Sequence, residues 1–153
     1  MNGTVVSHGE TASDRKIVDS VWWTLRMSFG LTPLLAGLDK FANLQTHWPK
    51  YVAPAIAGVL PMTPQHFMYL VGIIEIVAGL AMLLSPWTKA FSYVVAAWLA
   101  AIALNLIIGG YYDIAVRDLV MAVSAVSLAR LTDVVHVPSV ARRHVQQTAH
   151  AST

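Results

Sequence analysis

The stretch 67–84, FMYLVGIIEIVAGLAMLL, is an apolar run with one carboxylate, Glu75, near its centre. An acid that deep in an apolar segment carries a large desolvation cost, so the fold must bring Glu75 a partner from elsewhere in the chain. Four apolar segments can be counted, at about 17–38, 66–84, 88–108 and 113–131. Each is close to the ~20 residues that cross ~30 Å of hydrocarbon at ~1.5 Å per residue. Only 12% of the chain is charged and 56% is hydrophobic, whereas a soluble domain carries roughly 25% charged residues. The expectation is an all-α integral membrane protein, a four-helix bundle over residues 17–132 with polar tails at 1–16 and 133–153.

Residues 1–16 lack apolar periodicity, and the tail after Asp133 is polar. Glu10 and Asp14 precede the first span and no small-residue cleavage site follows it, which argues against a removed signal peptide. In the first span Arg26, Gly30, Pro33, Gly37 and Lys40 recur at spacings of three and four, so two glycines and two cations share one helical face. Small residues let a neighbouring helix approach closely, and Pro33 removes a backbone donor, from which a kink is expected. The second span carries Gly72, Glu75 and Gly79 on one face. The turn Ser85-Pro86-Trp87 is short enough to make the second and third spans antiparallel neighbours. Ala97, Ala101 and Asn105 recur every fourth residue in the third span, and Gly109-Gly110 ends it.

Between the first two spans lies the longest connection, where Pro49, Pro54, Pro61 and Pro64 exclude a full crossing. Within it KYVAPAIAGVL has the composition of a short re-entrant or interfacial helix, a lid over one mouth of the bundle. His47, Trp48 and Tyr51 could meet a ligand there; an aromatic belt at the membrane surface explains Trp48 and Tyr51 as well. Arg15, Lys16, Lys89, Arg130, Arg142 and Arg143 fall on one side of the spans and Lys40 and Lys50 on the other. The positive-inside rule then places both termini in the cytoplasm and the Pro-rich loop outside.

Counting residues from the span ends puts Arg26 and Glu75 within ~3 Å of the same depth at 1.5 Å per residue, which allows a mid-membrane ion pair between them. Asp39, Lys40, Asn105, Asp113, Arg117 and Asp118 enter nearer the outside and suggest a polar funnel towards Glu75. Two readings stay open. These charges could fix which helices touch and in what register, or they could bind a polar headgroup such as a quinone ring, or relay protons. Other chemistries have less to stand on. Cysteine is absent, which removes disulfides, thiolate metal sites, iron-sulfur clusters and thiol exchange. His8, His47, His66, His136, His144 and His150 all lie in tails or at span ends, where they could not ligate a buried haem, and His47 with His66 is a weak metal pair. The net charge of +2 gives nucleic-acid binding little support.

The order of residues in RMSFGLTPLLAGLDKF, then GIIEIVAGLAMLL, a small-residue helix and DIAVRDLVMAVSAVSLARL resembles the DoxX-like family of small four-helix membrane proteins. The match covers roughly residues 21–131, with Arg26, Gly37, Lys40, Glu75, Arg117 and Asp118 at positions matching the family pattern. The resemblance implies a multi-pass protein of a bacterial inner membrane. Members of the family resemble the membrane subunit of a thiosulfate:quinone oxidoreductase, and others are linked to oxidative-stress complexes or methylamine utilisation. The expected function is therefore a membrane subunit supporting quinone-linked electron transfer. Glu75 and Arg26 would form its inner site, and Lys40, Asp39, Asn105, Arg117, Asp118 and His47 would bind ligand at the mouth. A quinone is the expected cofactor; the expected partners are the bilayer, a membrane or periplasmic redox protein and a second copy of the chain. The alternative is a non-catalytic scaffold or assembly factor.

Overall fold

A computed structural model describes residues 12–135; the tail residues outside that range, with His8, His136, His144, His150, Arg142 and Arg143, lie outside the described residues. The described chain is helical throughout: α1 (Ala12–Ala42), a 3-10 turn (Trp48–Tyr51), a one-turn helix α2 (Pro54–Ala57), α3 (Pro64–Leu84), α4 (Thr88–Ile108) and α5 (Tyr112–Val135). The first helix starts earlier than the apolar run does, since residues 12–16 are helical, and it ends later, at Ala42. It also continues through Pro33, whose missing N–H interrupts the ladder without ending the helix. At its far end Asn43 adopts a left-handed conformation, with φ 50°, and closes the helix through its amide to the Asp39 carbonyl.

Four long helices stand antiparallel to their neighbours, paired mainly as α1 with α3 and α4 with α5. The tight turn does make α3 and α4 adjacent, as expected, but their contact is slight. Surface chemistry decides the pairing. The expected stripe of α1 is its seam with α3: a Cβ on Gly37 would stand 2.6 Å from the Gly72 carbonyl oxygen, and one on Gly79 2.6 Å from that of Gly30. Backbone meets backbone there, a distance only glycine allows. The glycine faces that could have served a second copy of the chain are thus used inside this one.

The α4–α5 pair uses alanine instead, with Ala96, Ala103, Ala115, Ala122, Ala125 and Ala129 all buried. Ala97 and Ala101 point outward, because a strict four-residue repeat drifts around a helix of 3.6 residues per turn. One core cluster, around Trp22, Phe29, Met82, Val95 and Leu128, fills the end near the start of α1; a smaller one, Ala103, Leu106 and Ala115, lies under the loop.

Polarity runs inside out. Lys40, Glu75 and Asp118 are buried, while Leu35 and Leu38 of α1, Ile73 and Val77 of α3, Val94 and Leu104 of α4, and Val116, Val120 and Val123 of α5 face outward. Among the described residues two helices, α3 and α4, are long and apolar enough to cross a membrane, with mean hydropathy 2.3 and 2.1.

Candidate functional site: a buried charge cluster under an aromatic cap

Glu75 finds its partner in Lys40, not Arg26. The Lys40 ammonium donates to Glu75 Oε2 at 2.5 Å, and the two residues are 4% and 7% exposed. The depth comparison failed because α1 runs four residues past the expected span end and α3 starts two residues before its own. The facing pairs Gly37–Gly72 and Gly30–Gly79 put Leu34 level with Glu75, so Arg26 lies eight residues deeper, ~12 Å at 1.5 Å per residue. Lys40 sits one helical turn beyond Gly37, where the seam is tightest, and its long side chain reaches down to the carboxylate.

Arg26 has a different task. Its Nε donates to the Met82 carbonyl at 3.0 Å, and its Nη2 to those of Leu83 and Ser85 at 3.1 and 2.7 Å. These are carbonyls at the end of α3, which lack partners within the helix, and a guanidinium complements the negative end of the helix dipole. Trp22 and Trp23 lie against the guanidinium, 5.1 and 5.5 Å from its carbon to their ring centres. On the same end of the bundle Trp22 Nε1 donates to Thr132 Oγ1 at 2.8 Å and Lys89 pairs with Asp133 at the surface.

The outer end is closed by the Pro-rich loop. Trp48 lies over Lys40, with Nζ 3.8 Å from the ring centre, and its indole N–H donates to Asp39 Oδ2 at 2.7 Å. Asp39 also accepts from the backbone amides of Leu44 and Gln45, at 3.0 and 3.2 Å. Asp39 therefore organises the chain leaving α1. Partial burial pushes its carboxyl up, but the Trp48 indole, the Gln45 and Leu44 amides and the charge of Lys40 outweigh this and hold it below the ordinary aspartate range.

Asn105 fastens the next part of the loop. Its Oδ1 accepts from the Ala53 amide at 3.0 Å and its Nδ2 donates to the Tyr51 carbonyl at 2.7 Å, so one side chain pairs both groups of a non-helical backbone. Tyr111 donates to the Lys50 carbonyl at 2.9 Å and packs edge-on to Tyr51. Val52 and Ala53 are buried beneath. The expected re-entrant or interfacial helix is thus only a 3-10 turn and one turn of α2, held across the bundle end by two side chains of other elements.

Of the expected mouth residues, Asp118 is buried and interacts electrostatically with both Lys40 and Glu75. Arg117 is exposed, with its charge acting on Asp118 as that of Lys40 does, and His47 is exposed. No group of three or more metal-ligating side chains occurs among the described residues. Trp48 is the one member of the cluster whose role the sequence left undecided between ligand contact and membrane belt. A cation and an acid in adjacent positions, Asp39-Lys40, nine and eight residues before it were the available signal.

A helical bundle that buries its charges and turns its aliphatic side chains outward is a membrane protein. The chain belongs to the DoxX family, whose model matches residues 21–109, more than half of its length. No curated protein and no solved structure matches it.

Proposed function

We propose that this protein is a four-span subunit of a bacterial inner membrane, with both termini cytoplasmic, that supports quinone-linked electron transfer at the cluster under Trp48. The apolar outer faces of α1 and α5 support four spans despite the charges those helices carry. The single observation that carries the functional reading is the buried Lys40–Glu75 pair beneath the Trp48 ring. Charged groups placed inside a membrane bundle tend to mark ligand or proton paths. The residues present fit a quinone headgroup: Lys40 can donate to a ring carbonyl oxygen, Glu75 can accept from a ring hydroxyl, and Trp48 offers a flat face. A bound quinone would supply the two-electron chemistry, and the chain would bind the ring, orient it and exchange its protons. Electrons would come from a membrane or periplasmic redox partner.

Glu75→Gln, which keeps the shape and removes the charge, tests this. Purified wild-type protein in its native membrane lipids is expected to retain quinone and the variant to lose it, with a fall in quinone reduction by the assembled complex. Unchanged quinone content and turnover in a folded variant refute the reading. The scaffold reading has its own observation in favour: Arg26, Lys40–Glu75, Asn105 and the Trp22–Thr132 bond each join different elements of the fold. It is supported if Glu75→Gln lowers stability and partner binding together and leaves quinone content alone.

A further inference from the structure

Arg26 holds more donors than the fold uses. A guanidinium carries five N–H groups. Nε gives its one to the Met82 carbonyl, and Nη2 gives its pair to Leu83 and Ser85. Nη1 keeps the rest, with no acceptor among the described residues, and no carboxylate pairs with the charge. Asp19, two turns earlier on α1, is exposed and does not reach it. Trp23 stands beside the guanidinium, 5.5 Å from its carbon to the ring centre, and is 54% exposed. Its indole N–H also lacks an acceptor among the described residues, unlike that of Trp22, which bonds to Thr132. Free donors of two side chains thus lie together around a half-buried cation that has no counter-charge.

The level at which they stand decides what can pair with them. Gly30 faces Gly79 across the seam, so Arg26 is level with Leu83, in the last turn of α3. Both α3 and α4 are 21 residues long, ~31 Å at ~1.5 Å per residue, which matches the ~30 Å of a hydrocarbon core. Their shared end, where Leu84 and Trp87 are exposed, therefore marks the headgroup level. The plentiful anionic acceptor at that level is a phosphate oxygen. From Trp23 toward the bilayer centre, Met27 and Leu31 follow at four-residue steps and are exposed, an apolar strip beneath the free donors.

We propose that Arg26 and Trp23 form a phospholipid site, in which the lipid phosphate accepts from Nη1 and from the Trp23 indole and an acyl chain lies along Met27 and Leu31. The phosphate supplies the counter-charge that the fold does not, through the charge-assisted bonds a guanidinium makes best. Since the other edge of the same guanidinium holds the end of α3, a bound lipid joins that helix end to the membrane surface. The inference rests on the bundle lying in a membrane and stands whether or not a quinone binds.

The test is native mass spectrometry of the full chain from detergent micelles, offered equal amounts of phosphatidylglycerol and galactosyl diacylglycerol, which lacks the phosphate. Wild type is expected to retain one phosphatidylglycerol in preference. Arg26→Gln is expected to weaken that retention by about tenfold or more. Trp23→Phe leaves the three bonds to α3 in place and is expected to weaken it by about three- to tenfold, with the unfolding midpoint unchanged. If Arg26→Gln does not fold, Trp23→Phe and the comparison of the two lipids decide. Lys89→Gln, which alters a surface cation at the same end, is expected to change retention little. Equal retention of the two lipids overturns the proposal, as does wild-type retention in folded Trp23→Phe. So does a loss in Lys89→Gln as large as in Arg26→Gln, since the attraction would then be diffuse. Release of the lipid by inorganic phosphate overturns it too, because the site would then take a free anion. Glu75→Gln is expected to keep the phospholipid, so failure of the quinone reading is told apart from failure of this one.

Discussion

Lys40 and Glu75 are each almost fully buried, so breaking their bond exposes how much of the fold hangs on it. Removing one member of a buried pair leaves the other uncompensated, which costs ~3–5 kcal/mol. Lys40→Met should fall in that range. Glu75→Gln should cost less, near the lower bound, because the amide oxygen can still accept from the ammonium. The double variant Lys40→Met/Glu75→Gln removes both charges and should recover part of the loss, giving a coupling of about 1–3 kcal/mol. Reversible unfolding in mixed micelles, followed by tryptophan fluorescence, measures all four corners of the cycle. The companion cycle on Arg26 and Glu75 should be additive to within ~0.5 kcal/mol, since Arg26 bonds to the far end of α3. Additivity at Lys40–Glu75, or strong coupling at Arg26–Glu75, would refute the assignment of partners.

The seam makes a second test: Gly37→Ala and Gly79→Ala place a Cβ 2.6 Å from a facing backbone oxygen, so each should cost ~1–3 kcal/mol by forcing the helices apart. Gly30→Ala places its Cβ 2.4 Å from Cγ and Cδ2 of Leu83, a side chain rather than a backbone, and should cost less in the same unfolding assay. Asn105→Leu leaves the Ala53 amide and the Tyr51 carbonyl unpaired, at ~1–3 kcal/mol per buried group. Hydrogen exchange should show 48–57 opening while α3 and α4 stay protected. Arg26→Lys should speed exchange in the last turn of α3 nearly as much as Arg26→Ala, because an ammonium cannot reproduce the fork that spans three carbonyls. The loop should also loosen in acid. Asp39 has its folded pKa depressed, so its contribution is present above the ordinary aspartate range and is lost as pH falls through the folded value. Protection of the Leu44 and Gln45 amides should therefore drop with acidification, and Asp39→Asn should flatten that dependence.

What the sequence disclosed and what it withheld have the same physical origin. A three-and-four spacing reports the face of one helix, and so the run Arg26, Gly30, Pro33, Gly37, Lys40 correctly marked a packing seam, matched by Gly72, Glu75 and Gly79. It carries no information on how far two helices slide along each other. That sliding depends on where each helix ends, and α1 ends where Asn43 can adopt a left-handed turn over Asp39, several residues after the apolar run stops. In the actual register Arg26 lies eight residues deeper than Glu75, while Lys40, six residues nearer the outer end, reaches its carboxylate. The loop shows the same limit: prolines rule out a long helix, but only the distant Asn105 and Tyr111 determine that the chain lies flat across the bundle. Asp118 meets this limit within one helix. It directly follows Arg117 in the sequence, yet a helix turns neighbours ~100° apart, and here the turn sends arginine to the surface and the acid inward. That rotation, which the sequence does not print, is why one of two adjacent charges is buried in the bundle and the other stands at its surface.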